Sequence, residues 1–106
     1  MQDESAFIKE LLDAKTQNKA FEALLATYQK PLYNHIRNIV LNHDDADDVL
    51  QNTFVKVFRS LKDFKGESKL FSWIYRIATN EAITFLNAKA KRNGMTNADF
   101  QEKKIE

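Results

Sequence analysis

Breakers of regular structure are almost missing from this chain: two glycines, Gly66 and Gly94, and one proline, Pro31, among 106 residues. In a helix interior glycine costs roughly 1 kcal/mol and proline roughly 3 kcal/mol relative to alanine. A chain this poor in both favours long helices over a sheet that must turn every few residues. Hydrophobic residues make up 43%, enough for one small core and one domain. We therefore expect an all-α fold, a small bundle of three to four helices.

Hydrophobic periodicity divides the chain into four helical segments. The first, over about 4–15, carries Phe7, Ile8, Leu11 and Leu12 as one apolar stripe. Thr16, Gln17 and Asn18 interrupt it and are candidate caps for the next helix. The second, over about 19–41, keeps Phe21, Leu24, Leu25, Tyr28, Leu32, Ile36, Ile39 and Val40 in phase across Pro31. That continuity predicts a kinked but unbroken helix. The third begins after Asn42-His43, with Asp44 or Asp45 as cap, and carries Val49, Leu50, Phe54, Val57, Phe58 and Leu61 inward. A loop at 64–68 follows, and Ser68 is the candidate cap for a fourth helix over about 69–92. Asn93-Gly94 stops that helix, and 93–106 reads as a polar linker with little fixed structure.

The fourth helix has two distinct faces at 100° per residue. Leu70, Ile74, Ile77, Ala78, Phe85 and Ala88 form the expected core stripe. Trp73, Arg76, Asn80, Thr84, Asn87 and Lys91 form a neighbouring face of one aromatic ring, amides and cations. Cations neutralise phosphates, amides address base edges, and aromatic rings stack on unpaired bases. The segment 69–92 holds five cations against one acid, Glu81, whereas the third helix opens with Asp44, Asp45, Asp47 and Asp48. The formal net charge of +1 conceals this polarisation. By residue types alone, the chain is a helical bundle with a basic, aromatic-bearing helix. A mixed polar face of this kind also suits a plain solvated surface.

Two stretches narrow the choice. Asp44-Asp45-Ala46-Asp47-Asp48-Val49-Leu50-Gln51-Asn52-Thr53-Phe54-Val55-Lys56-Val57-Phe58 resembles the core-binding helix of extracytoplasmic-function (ECF) sigma factors. Phe71-Ser72-Trp73-Ile74-Tyr75-Arg76-Ile77-Ala78-Thr79-Asn80 resembles the promoter-melting helix of the same family. The run from Phe21 to Tyr33, with Tyr28 to Tyr33 inside it, is similar to the family's opening helix, and the likeness extends over about 19–92. It implies a sigma region 2 domain over 1–92, followed at 93–106 by the start of an interdomain linker. The family's minus-thirty-five-binding domain has no counterpart after Arg92, so the chain is expected to be a fragment.

The resemblance also implies roles and partners. Asp47, Asp48, Gln51, Asn52 and Val55 match positions that bind the clamp helices of the RNA polymerase largest subunit. Short carboxylates and an amide on a rigid helix suit arginines across an interface. Phe64, Lys65, Gly66, Glu67, Ser68 and Lys69 match a loop that receives a base flipped from the minus-ten element. Trp73, Arg76, Asn80, Thr84, Asn87 and Lys91 match positions facing promoter DNA beside it. Strand opening is then passive capture of unstacked bases in the non-template strand. Thr84 and Asn87 depart from the acid and arginine common in the family, and its arginine run is reduced to Lys89, Lys91 and Arg92. An anti-sigma factor is a further implied partner.

Other chemistries are poorly served. His35 and His43 are the only histidines, cysteine is absent, and no nucleophile-base arrangement, phosphate loop or metal-ligand spacing occurs. We expect no enzyme activity, cofactor or metal. We further expect no membrane insertion, a monomer in isolation and a cytoplasmic setting. The alternative is a helical protein-interaction module that never meets DNA.

Overall fold

The computed structural model describes residues 4–64, 66 and 68–92. Within them the chain forms four helices: α1 (Glu4–Leu12), α2 (Gln17–Ile39), α3 (His43–Ser60) and α4 (Leu70–Arg92). A 3₁₀ turn (Leu61–Asp63) continues α3. The expected all-α class is borne out. The linker segment 93–106, with Lys65 and Glu67, lies outside the described residues.

The three long helices pack on one another, and α1 lies across α2 and the 3₁₀ turn. Leu24, Leu32 and Ile36 of α2 meet Val49 and Val57 of α3 and Leu70, Ile74 and Ala78 of α4 in one buried cluster. Burying each large aliphatic side chain contributes roughly 1.5–3 kcal/mol, far more than propensity alone supplies. Helix α2 runs unbroken through Pro31, as its continuous stripe predicts.

Helix ends differ from the sequence expectation in instructive ways. Thr16 and Gln17 do not cap α2 with their side chains. The Thr16 hydroxyl donates to the Glu10 carbonyl at 2.7 Å and the Gln17 amide to the Leu11 carbonyl at 3.1 Å. They answer the orphan carbonyls of α1 instead. The cap of α3 is Asn42, ahead of Asp44 and Asp45. Asn42 Oδ1 accepts from the Asp45 N–H at 2.8 Å, and Asn42 Nδ2 donates to Asp45 Oδ2 at 3.1 Å. Asp44 and Asp45 occupy the first turn, where carboxylates suit the dipole.

The buried stripe of α4 is also rotated from the one expected. Leu70, Ile74, Ala78, Ala82, Leu86 and Ala90 are buried, Ile77 and Phe85 are half-buried, and Ala88 is exposed. The i, i+4 spacing lets this long helix drift around its axis, and alanine carries no signal of its side. Leu12 likewise turns outward at the end of α1.

Candidate protein and nucleic-acid interfaces

Helix α3 separates its faces cleanly. Asp47, Asp48, Gln51, Asn52 and Val55 fall within an arc of about 140° at the helical repeat. Asp48, Gln51, Asn52 and Val55 are exposed and Asp47 is half-buried, while Ala46, Val49, Leu50, Thr53, Phe54 and Val57 are buried opposite. Thr53 is tolerated inside because its hydroxyl donates to the Val49 carbonyl at 2.7 Å.

Beside this polar strip lies an apolar groove between α2 and α3. Phe21, Leu25, Leu50, Phe54, Val55 and Phe58 line it, with Gln29, Gln51 and Arg59 at the rim. Val55 is 49% exposed and Phe58 40%. The Phe21 ring stands edge-on to Phe58, with centroids 5.1 Å apart. Sequence reasoning did not single out Phe21, Leu25 and Arg59 for this surface. Phe21 carries a faint signal, an aromatic in surplus of what so small a core needs, and Leu25 and Arg59 carry none.

At the start of α3 a hydrogen-bonded chain steadies Asp47. His43 Nε2 lies 3.0 Å from Asp47 Oδ2, and His43 Nδ1 lies 2.6 Å from the Tyr33 hydroxyl. A carboxylate only accepts, so the ring proton sits on Nε2 and the Tyr33 hydroxyl donates to Nδ1 when the ring is neutral.

On α4 the second face is present on the outside. Arg76, Asn80, Thr84 and Lys91 are exposed, and Trp73 and Asn87 are half-buried. The Trp73 ring rests against Phe64 at a centroid distance of 5.0 Å. Phe64 is itself buried in the core cluster, so its ring supports Trp73 from beneath. Gly66 is exposed with φ 74°, Ser68 is half-buried and Lys69 exposed. Ser68 does not cap α4: its hydroxyl points to the Lys69 carbonyl at 3.4 Å. The Leu70 N–H donates instead to Glu4 Oε2 of α1, at 3.1 Å.

Among the described residues, two ion pairs and two ring stacks, Tyr28 on Phe71 and His35 on Tyr75, join α4 to the other helices. Lys89 donates to Asp45 at 2.6 Å, and Lys56 to Glu81 at 3.0 Å. Lys89, part of the expected phosphate-facing run, is thus engaged with α3. His35 of α2 stacks on Tyr75, with centroids 3.8 Å apart. Its Nε2 lies 2.7 Å from the Thr79 hydroxyl, which donates to the Tyr75 carbonyl at 3.0 Å. With that proton committed, His35 is the donor through Nε2. Burial pushes the His35 pKa below its ordinary value. Burial first, and the charge of Glu4 second, push the Tyr28 hydroxyl up. No described helix is long and apolar enough to cross a membrane.

An all-helical domain with these two outward faces has recognisable relatives. The sigma-70 region 2 family model matches residues 24–92. The ECF RNA polymerase sigma-E factor of Haemophilus influenzae is 39% identical over 74 residues, covering 70% of this chain and 39% of that protein. The sigma-E factor of Escherichia coli K12 is 35% identical over 88 residues, covering 83% of this chain and 46% of that protein. An NMR structure of an engineered region 2 of sigmaE in complex with GTAAAA superposes with a TM-score of 0.75 and 31% identity, covering 86% of this chain and 93% of that one. The chain belongs to the sigma-70 region 2 family. It spans less than half the length of these curated relatives.

Proposed function

We propose that this domain is a bacterial transcription initiation module of the ECF type. It binds RNA polymerase core through α3 and captures the minus-ten promoter element through α4 and the loop before it. Asp47, Asp48, Gln51, Asn52 and Val55 meet the clamp helices, and the apolar groove beside them extends that contact or receives an anti-sigma factor. Lys65, Gly66, Glu67, Ser68 and Lys69 hold a flipped base. Trp73, Arg76, Asn80, Thr84, Asn87 and Lys91 face the neighbouring DNA. Opening is passive, because stacking and capture contribute roughly 1–3 kcal/mol per base and offset unpairing when several bases act together. Such a module works in the cytoplasm and needs no catalytic group.

One observation carries this reading. The acidic-amide strip of α3 and the cationic-amide face of α4 are both outward and belong to different helices, so two unlike partners can be held at once. The solved relative bound to GTAAAA lends the DNA half its support.

The test is a pair of titrations on the full chain, with isolated clamp helices and with single-stranded GTAAAA at low salt. Asp48→Ala should weaken the first about tenfold, the loss of one charge-assisted bond, and leave the second unchanged. Arg76→Ala should do the reverse. Trp73 is a poorer probe because its truncation would also unpack Phe64. Absence of binding to either ligand at high concentration would overturn the proposal. Clamp binding without DNA binding would leave a protein-interaction module.

A further inference from the structure

We infer that Glu4 is a positioning residue for base capture, acting from α1 through the first backbone amide of α4. The inference rests on the proposed DNA role of the 64–69 loop and adds a residue outside the 24–92 family match.

Among the described residues just before α4, no side chain caps its start. Leu70 is its first residue, and a first-turn N–H needs an acceptor from outside the helix. Ser68 directs its hydroxyl to a carbonyl. Glu4, 66 positions away in sequence, supplies the acceptor at 3.1 Å. A carboxylate suits this place twice, as a strong acceptor and as a negative charge at the positive end of the α4 dipole.

Helix α1 is well placed to hold that carboxylate still. Leu11 is fully buried, and Phe7 and Ile8 pack on the core. The same helix packs on the 3₁₀ turn at 61–63. It therefore touches both anchors of the loop, the 3₁₀ turn before it and Leu70 after it. Tyr28 completes the cluster, stacking on Phe71 at 5.0 Å and sensing the charge of Glu4.

Fixing the Leu70 amide fixes Lys69 and Ser68 beside it, so these two residues meet a base already placed. Without Glu4, Ser68 and Lys69 must be placed on binding, which costs affinity. The sign separates this from simple electrostatics. Deleting an acid near a nucleic-acid surface raises affinity by Coulomb's law, whereas deleting a positioning acid lowers it.

The experiment compares the full chain with Glu4→Ala and Glu4→Gln in titrations with single-stranded GTAAAA and, separately, isolated clamp helices. Amide hydrogen exchange at Leu70 is followed in parallel. Glu4→Ala should weaken DNA binding about fivefold, the size expected for a lost helix cap. It should also speed Leu70 exchange and leave clamp binding unchanged. Glu4→Gln keeps a neutral acceptor and should recover most of the loss. Unchanged or tighter DNA binding by Glu4→Ala overturns the inference, as does an equal loss of both ligands, which would make Glu4 a fold residue only. If the parent chain itself fails to bind the oligonucleotide, the proposed DNA function falls and this inference with it.

Discussion

Ala82 offers a sharp test of how α4 is seated. Its side chain is fully buried, between Ala78 at 0% and Leu86 at 7% exposure on the same stripe. Ala82→Leu adds three carbon atoms. Were there room, burying them would stabilise by about 0.8 kcal/mol each. A close-packed interior has no such room, and overpacking costs roughly 1–3 kcal/mol. Taking about 2 kcal/mol for a domain of this size, Tm should fall by roughly 8–16 °C. Ala88→Leu is the control, because Ala88 faces solvent six residues on. An exposed substitution there should stay within about 0.5 kcal/mol of the parent. Thermal melts followed by far-UV circular dichroism decide the matter. If both variants melt together, or Ala82→Leu melts higher than the parent, α4 is not seated with Ala82 inward and Ala88 outward.

Two further outcomes follow from single side chains. Burial holds the His35 pKa below the ordinary value of 6.5, so the unfolded chain takes up the proton first. Its contribution is therefore complete above that value and is lost as pH falls through the depressed folded pKa. Melts taken from neutral to mildly acidic pH should show a steeper loss for the parent than for His35→Gln, and equal losses would refute the assignment. Gly66 has φ 74° with nothing near a built Cβ. Gly66→Ala should then cost roughly 1–2 kcal/mol from backbone conformation alone, and an unchanged denaturation midpoint would refute that conformation.

Much of this was legible because the signals are periodic. The scarcity of glycine and proline pointed to helices, and the stripe through Pro31 announced one continuous α2. The strip from Asp47 to Val55 comes from the resemblance to the family's core-binding helix, and the large aliphatics that mark the opposite side of α3 agree with its facing outward. Alanine gave no such mark, so Ala82 and Ala90 went unnoticed while Ala88 was placed inside. Caps failed for a different reason. Asn42, Asp44 and Asp45 can all serve as caps within one turn, and only the backbone path shows that Asn42 stands just outside the helix. The Glu4–Leu70 bond lay beyond reach because it is a tertiary contact with no local pattern. The Phe21 and Leu25 side of the groove was hidden similarly, since apolar residues on a stripe read as core whether or not anything covers them.

The charge pattern shows why total charge is a poor guide to a domain proposed to hold two partners. Within α4 the only acid is Glu81, and Lys56 of α3 engages it. Asp45 of α3 in turn engages Lys89. Partly exposed pairs of this kind contribute at most about 1 kcal/mol each to stability. Their larger effect is to sort charge between surfaces. With Glu81 neutralised, the outward side of α4 presents Arg76, Lys91 and Arg92 against no acid of that helix. With Lys56 occupied by Glu81, the outward start of α3 presents Asp44, Asp47 and Asp48, and the nearest outward cation on that helix is Arg59. The two interhelix bonds thus hold α3 and α4 in one register and leave each helix a surface of nearly one sign. A polyanion is drawn to the first of these surfaces and turned away from the second, and an arginine-bearing protein experiences the opposite.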